Sequence, residues 1–290
     1  MSMEARRVAS ILLLTFVMLS HRAWADVLLV VPESTPSMML LAEKMQRSLG
    51  TPVEIGLQSD PSTKYERYAV AVLVGEQALK NWSGSIPAIG ALISREDSLA
   101  FAGKTKTILY QEPPLERQLY LAKELLGGDY ALGVLAVSEK ELLRHYPDLD
   151  LDSKNLRAVF YYTKNYPNLN YALNDVLKNS AILVGVANKA LYNNDTIKNI
   201  LITSYRQNKA LIGPTSAYLS AGALASTYSN LDDVAQRLSE IIVQGLQQKK
   251  WPASDYNPYF HVAFNAQVAR SLNMSLPDAT ALAEKLKNLP

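Results

Sequence analysis

Residues 181–228, AILVGVANKALYNNDTIKNILITSYRQNKALIGPTSAYLSAGALASTY, interleave apolar runs with polar clusters in the order that decides the fold. Ile182 to Ala187 is an uninterrupted run rich in β-branched and aliphatic residues, the pattern of a parallel strand buried on both faces. Asn188 and Tyr192 follow where the carboxyl end of that strand opens, which is where open α/β sheets bind ligands. The stretch around Thr196 to Tyr205 sets Ile197, Ile200 and Leu201 on one side and predicts a helix. Ala210 to Ile212 then predicts a strand stopped by Gly213-Pro214, with Thr215, Ser216 and Tyr218 at its carboxyl end.

The first half repeats the pattern. Asp26 to Pro32 predicts a buried strand, after which Ser34 or Thr35 caps a helix carrying Leu41, Met45 and Leu49 at helical spacing. Strands are expected at Val53 to Leu57, at Tyr68 to Gly75 (ending in Gly75-Glu76), at Ile86 to Leu92 and at Thr107 to Tyr110. Gln111-Glu112-Pro113-Pro114 breaks the chain, since two prolines stop a strand, and a lobe boundary is expected there. Leu115, Leu119, Ala122 and Leu126 form the next helical stripe, and Ala131 to Val137 restarts a strand. Leu231 to Gln248 is the longest amphipathic helix, capped by Asn230 and started by Asp232 and Asp233 at its positive end. His261 to Phe264 predicts a short apolar strand with His261 packed inside, and Pro277 to Leu289 a last helix. The sum is an α/β chain of two doubly wound parallel-sheet lobes.

The 290 residues, 48% hydrophobic and 19% charged, have ordinary globular composition. Arg6 and Arg7 before the apolar run Val8 to Leu19, with Ala23-Trp24-Ala25 after it, predict a signal peptide over residues 1–25. That segment holds Arg6, Arg7, Arg22 and Glu4, so its removal takes the net charge from +2 to neutral and leaves no basic surplus for nucleic acid. The absence of cysteine excludes disulfides, thiolate metal sites and a lipid-bearing cysteine, so an exported chain is expected free in a periplasm.

Catalytic material is sparse. Beyond the export segment the histidines are His145 and His261, and no glycine-rich phosphate loop is present. Asp148, Asp150 and Asp152 begin like a calcium loop, but Ser153 replaces the turn glycine and Val159 stands where a bidentate Glu is needed. What remains is polar groups at strand ends in both halves: Ser34, Thr35, Glu76, Gln111 and Glu112 from the first, Asn188, Tyr192, Thr215, Ser216 and Tyr218 from the second. Converging lobes make a cleft. With no activated nucleophile, binding of a small molecule is expected rather than catalysis, without cofactor or metal.

Three segments carry a resemblance: Asn193 to Lys209 with the Gly213 turn, Ser220 to Ala225 with Tyr228-Ser229, and Asn265 to Pro277 with its Val-Ala, Leu-Asn and Leu-Pro pairs. Glu112-Pro-Pro-Leu-Glu-Arg-Gln118 adds to them. The chain resembles ABC-transporter substrate-binding proteins of the tryptophan/tyrosine-binding type, with the type I periplasmic binding protein fold. The resemblance implies two lobes joined by three crossovers, placed near Gln111 to Pro114, Pro214 to Tyr218 and Ser254 to Pro258. Lobe one then takes 26–110 and about 219–254, and lobe two takes about 111–218 and 255–290. It also implies a monomer, a small ligand such as an amino acid or aromatic compound, and a permease partner. The rival expectation is a ligand-sensing partner of a membrane receptor or sensor kinase.

Overall fold

The computed structural model describes residues 26–59, 65–147, 149 and 155–288. The expected export segment and the Asp148, Asp150 and Asp152 run lie outside the described residues.

The first sheet has the order β2-β1-β3-β4-β5, built from β1 (Val27–Val31), β2 (Val53–Leu57), β3 (Val70–Val74), β4 (Ala88–Ile93) and β5 (Thr107–Tyr110), all parallel. Both faces of its central strands are apolar, so alternate residues feed two cores. Leu29 and Val72 pack under the helices α1 (Pro36–Leu49) and α9 (Leu231–Gln248) with Leu41, Met45, Leu238 and Ile242. Leu28, Val30 and Leu73 pack on the other face with Leu79 of α2 (Gly75–Asn81), Phe101 and Ile108. Local chemistry sets the helix ends. Thr35 caps α1 by accepting from Met38 N at 3.3 Å with Pro36 behind it, and Gly50 closes the helix at φ 67°. In α9 the Asn230 side chain and the Asp233 carboxylate cap each other's backbone N–H groups.

The second sheet, order β11-β10-β9-β8-β6-β7, comprises β6 (Leu132–Ala136), β7 (Ala158–Tyr162), β8 (Ile182–Val184), β9 (Leu211–Ile212), β10 (Ala225–Tyr228) and β11 (His261–Phe264). It is parallel except for the edge pair β10–β11. One continuous core surrounds it, including Leu119 of α4 (Leu115–Leu126), Leu173 of α6 (Leu169–Lys178), Ile200 of α7 (Ile197–Arg206) and Leu286 of α11 (Ala279–Lys287). The result is a two-lobe α/β fold.

The chain changes sheet three times. It leaves β5 for α4 through Gln111 to Pro114, leaves β10 for α9 through Ser229-Asn230, and returns from α9 to β11 through residues 249–260, where Asp255 forms a bridge to Leu109. The middle passage corrects the expectation of a crossover at Pro214 to Tyr218. Strand β10 stays in the second sheet because Gln118, 1% exposed, holds it there. Its Nε2 donates to the Gly213 carbonyl (2.7 Å) and to Ser226 Oγ (2.9 Å), while its Oε1 accepts from Thr227 N (3.1 Å) and Thr227 Oγ1 (2.9 Å). His261 is corrected as well. It lies exposed on edge strand β11, 3.1 Å from Asp233 and 2.9 Å from Asn230, because an edge strand has a free side.

Candidate functional site

The loop after β4 in one lobe and the loop after β8 in the other meet between the sheets. In the first lobe, β4 ends irregularly: the register shifts between Ala91 and Ile93, and Leu92 takes φ 55°. This bulge redirects the chain into Ser94, whose hydroxyl caps the short helix α3 (Arg95–Ser98) by accepting from Asp97 N (3.0 Å) and holds the Asp97 carboxylate at 2.7 Å. Beside it Glu112 is buried, 4% exposed, with Oε1 accepting from Arg95 N at 2.7 Å and Oε2 lacking a hydrogen bond. Burial pushes the Glu112 carboxyl up to about 7, the Asp97 charge adds to the rise, and the Arg95 backbone N–H and guanidinium oppose it.

In the second lobe, Asn188 organises the loop after β8. Its Oδ1 accepts from Ala190 N (3.1 Å) and Leu191 N (3.2 Å), and its Nδ2 donates to Glu141 Oε1 (3.1 Å) on α5 (Glu139–His145). That turn projects Lys189 across to the first lobe, where Nζ meets Asp97 Oδ2 at 2.6 Å and the backbone N–H approaches Glu96 Oε2 at 3.5 Å. The bond to Asp97 raises the Lys189 pKa, and the charges of Glu76 and Glu96 act in the same direction. The Asp97 carboxylate of lobe one thus pairs directly with a cation of lobe two, with Glu96 beside the backbone of that residue.

Several expected site residues stand at these facing ends. Ser34, Glu76 and Gln111 are exposed, and Thr215 and Ser216 are half-buried after β9. Thr35 is occupied as a helix cap. Tyr192 and Tyr218 pack against each other. The ring of Tyr192 is buried in the second-lobe core, at right angles to the half-buried Tyr218, whose hydroxyl donates to the Tyr192 carbonyl at 2.6 Å. Burial raises the pKa of both tyrosines, so both are neutral. Sequence reasoning missed Arg95, Asp97, Glu141 and Lys189; the one local signal was Ser94 three residues before Asp97, a capping pattern. Among the described residues no group of three or more His, Cys, Asp or Glu side chains is placed to hold a metal.

No protein-family model and no curated protein matches the sequence. Solved structures do match the fold. A ligand-free, open substrate-binding protein with adhesive properties from Clostridium difficile superposes with a TM-score of 0.62 at 14% identity, covering 88% of this chain and 96% of its own. The XylFII–LytSN complex gives 0.57 at 11% identity, covering 84% and 99%. An ABC domain from Streptococcus pneumoniae in complex with L-Trp gives 0.51 at 16% identity, covering 90% and 97%. The architecture is therefore that of the type I periplasmic binding proteins.

Proposed function

We propose that this chain is a solute-binding protein that captures a small molecule between its lobes and presents it, on closing, to an ABC-type importer. The observation that carries this reading is the meeting of the two sheets, at the carboxyl ends of β4 and β8, across a seam bridged by Lys189 and Asp97. An exposed ion pair is weak enough to break and remake as lobes move. Ser34, Glu76 and Gln111 on one side, and Thr215 and Ser216 on the other, supply hydroxyl, amide and carboxylate groups for a polar ligand, while the buried Asn188 and the Tyr218 hydroxyl brace the loops beside them. Export through residues 1–25 fits the reading, and among the described residues no helix is long and apolar enough to cross a membrane.

The test is a thermal-shift panel of amino acids, including L-tryptophan, with nucleosides and sugars. A ligand at 100 times its Kd adds about 2.7 kcal/mol of stability, which a melting curve resolves readily. A panel with no stabilising compound, together with turnover of a generic ester or peptide, rejects the reading. A ligand-sensing role beside a membrane receptor is the second reading, favoured by the likeness to a chain solved in complex with LytSN. Pull-down of a receptor ectodomain against pull-down of a permease separates the two.

A further inference from the structure

The first and third passages are fastened together just ahead of Glu112. Tyr110 N donates to the Asp255 carbonyl at 3.0 Å, and the Tyr110 and Tyr256 rings lie 5.0 Å apart. Arg95 of α3 sets its guanidinium against both rings, 5.6 and 5.8 Å from their centroids. Its backbone N–H is the donor to Glu112 Oε1, while Glu112 Oε2, closed off from solvent, has no hydrogen bond. Lobe two contributes Tyr146, buried after α5; burial above all, and then the charges of Tyr256, Glu112 and Glu116, hold its hydroxyl neutral. On the far side Arg117 of α4 lies over Phe260, 4.0 Å from the ring centroid, with the charges of Asp255 and Glu116 acting on it. Glu112 thus sits where α3, both passages and the second lobe come together.

The two protonation states of a carboxyl so placed are not equivalent. As an anion it holds one hydrogen bond and faces the Asp97 charge, which the Arg95 guanidinium offsets only in part; as an acid it needs no further donors. Burial accordingly lifts its pKa to about 7. A bend at Gln111-Glu112 that admits water to Oε2 supplies the missing donors and suits the anion.

We propose that Glu112 makes the hinge a proton switch: the lobe arrangement described above is the form with a neutral Glu112, and loss of that proton drives the lobes to a second arrangement in which water reaches the carboxylate. The switch belongs to the hinge and operates whether or not the cleft holds a solute.

The chain has no cysteine, so Met39→Cys on α1 and Tyr171→Cys on α6, both at exposed positions, give two unique labelling sites, one on each lobe. Fluorescence transfer between them is measured on the ligand-free chain from pH 5.5 to 8. With the carboxyl at about 7 in the present arrangement and back at 4.5 once hydrated, the balance between the arrangements shifts by up to roughly 30-fold over that range. The distance is expected to change with pH, and Glu112→Gln is expected to keep the pH 5.5 distance throughout. His145, buried beside Tyr146, and His261, 3.1 Å from Asp233, are the side chains that titrate ordinarily in this range, and His145→Gln and His261→Gln are expected to preserve the change. Should Glu112→Gln fail to fold, carbon-13 NMR of the glutamate carboxyls in the unaltered chain decides: one carboxyl titrating at about 7, together with the distance, supports the switch. A distance constant from pH 5.5 to 8, a change that persists in Glu112→Gln or vanishes in either histidine variant, or no glutamate carboxyl titrating above about 6 overturns it.

Discussion

Replacing Glu112 by Gln tests whether the proton on a single buried carboxyl governs the stability of the hinge. Glu112 is 4% exposed, one of its oxygens accepts from Arg95 N at 2.7 Å, and the other has no partner. Its pKa rises from 4.5 to about 7, chiefly through burial. The sign follows from linkage. Between those values the folded chain holds a proton that the unfolded chain has released, so stability falls as pH rises through the interval and the loss is complete above about 7. At about 1.4 kcal/mol per pH unit, the interval corresponds to roughly 3 kcal/mol. Glutamine keeps the acceptor for Arg95 N and carries no charge at any pH. E112Q is therefore expected to match the parent within about 0.5 kcal/mol at pH 4.5 and to exceed it by up to about 3 kcal/mol at pH 8. Urea unfolding of both proteins at pH 4.5, 6 and 8 measures this, and groups titrating elsewhere cancel in the difference. A difference between the two that stays constant from pH 4.5 to 8 refutes the reasoning.

Other outcomes follow from particular contacts. Gln118→Leu strips four hydrogen bonds from Gly213 and β10 and leaves the buried Thr227 N–H and hydroxyl without their acceptor, so it is expected to cost about 3 kcal/mol in urea unfolding; a loss under about 1 kcal/mol would mean that these groups find other partners. Lys189→Ala removes an exposed pair and costs under about 1 kcal/mol, yet it widens the ligand-free lobe separation seen by fluorescence transfer across the seam, as does 1 M salt; an unchanged distance would show that the pair holds nothing together. Asn188→Ala frees the loop after β8 and unpairs Glu141, so it lowers stability by about 1 kcal/mol and weakens any solute found in the thermal-shift panel, whereas undiminished affinity removes Asn188 from the site.

The parallel core was legible because β1, β3 and β8 are buried on both faces and must read as unbroken apolar runs. Strands β2, β5 and β11 and helix α9 fall on the residues that their patterns mark. What was hidden has a physical cause in each case. Strand β10, Ala225–Tyr228, buries Ser226 and Thr227 completely, and these look like surface residues until Gln118, more than a hundred positions away, satisfies them. Helix α2 begins directly on Gly75 at φ 79°, so strand passes to helix with no polar turn to announce it. Lys189 and Asp97 are 92 positions apart, and Arg117 finds its floor at Phe260. Strand ends are encoded locally; the pairs across a seam or a hinge depend on how lobes dock.

The hydrogen bonds of the three passages confine where the lobes can bend. The third passage is fastened to lobe one at its start: Ile108 N donates to Ser254 Oγ (2.9 Å), Asp255 N to the Ile108 carbonyl (3.0 Å), and Tyr110 N to the Asp255 carbonyl (3.0 Å). It is tied to the second passage further on, where Ser229 Oγ donates to the Tyr259 carbonyl at 2.6 Å and Asn230 meets His261. Bending at Gln111-Glu112 in the first passage, just before Pro113 and Pro114 fix φ, or at Tyr256 to Pro258 in the third works against two further bonds, Gln111 N to the Ile93 carbonyl and Arg117 Nη2 to the Asn257 carbonyl, both 3.0 Å. Those are the places where Glu112, Tyr256 and Arg117 concentrate buried polar groups. A change of φ or ψ there must re-expose or re-pair a buried carboxyl or guanidinium, and it is these groups, more than the exposed pair at the seam, that set the cost of moving one lobe against the other.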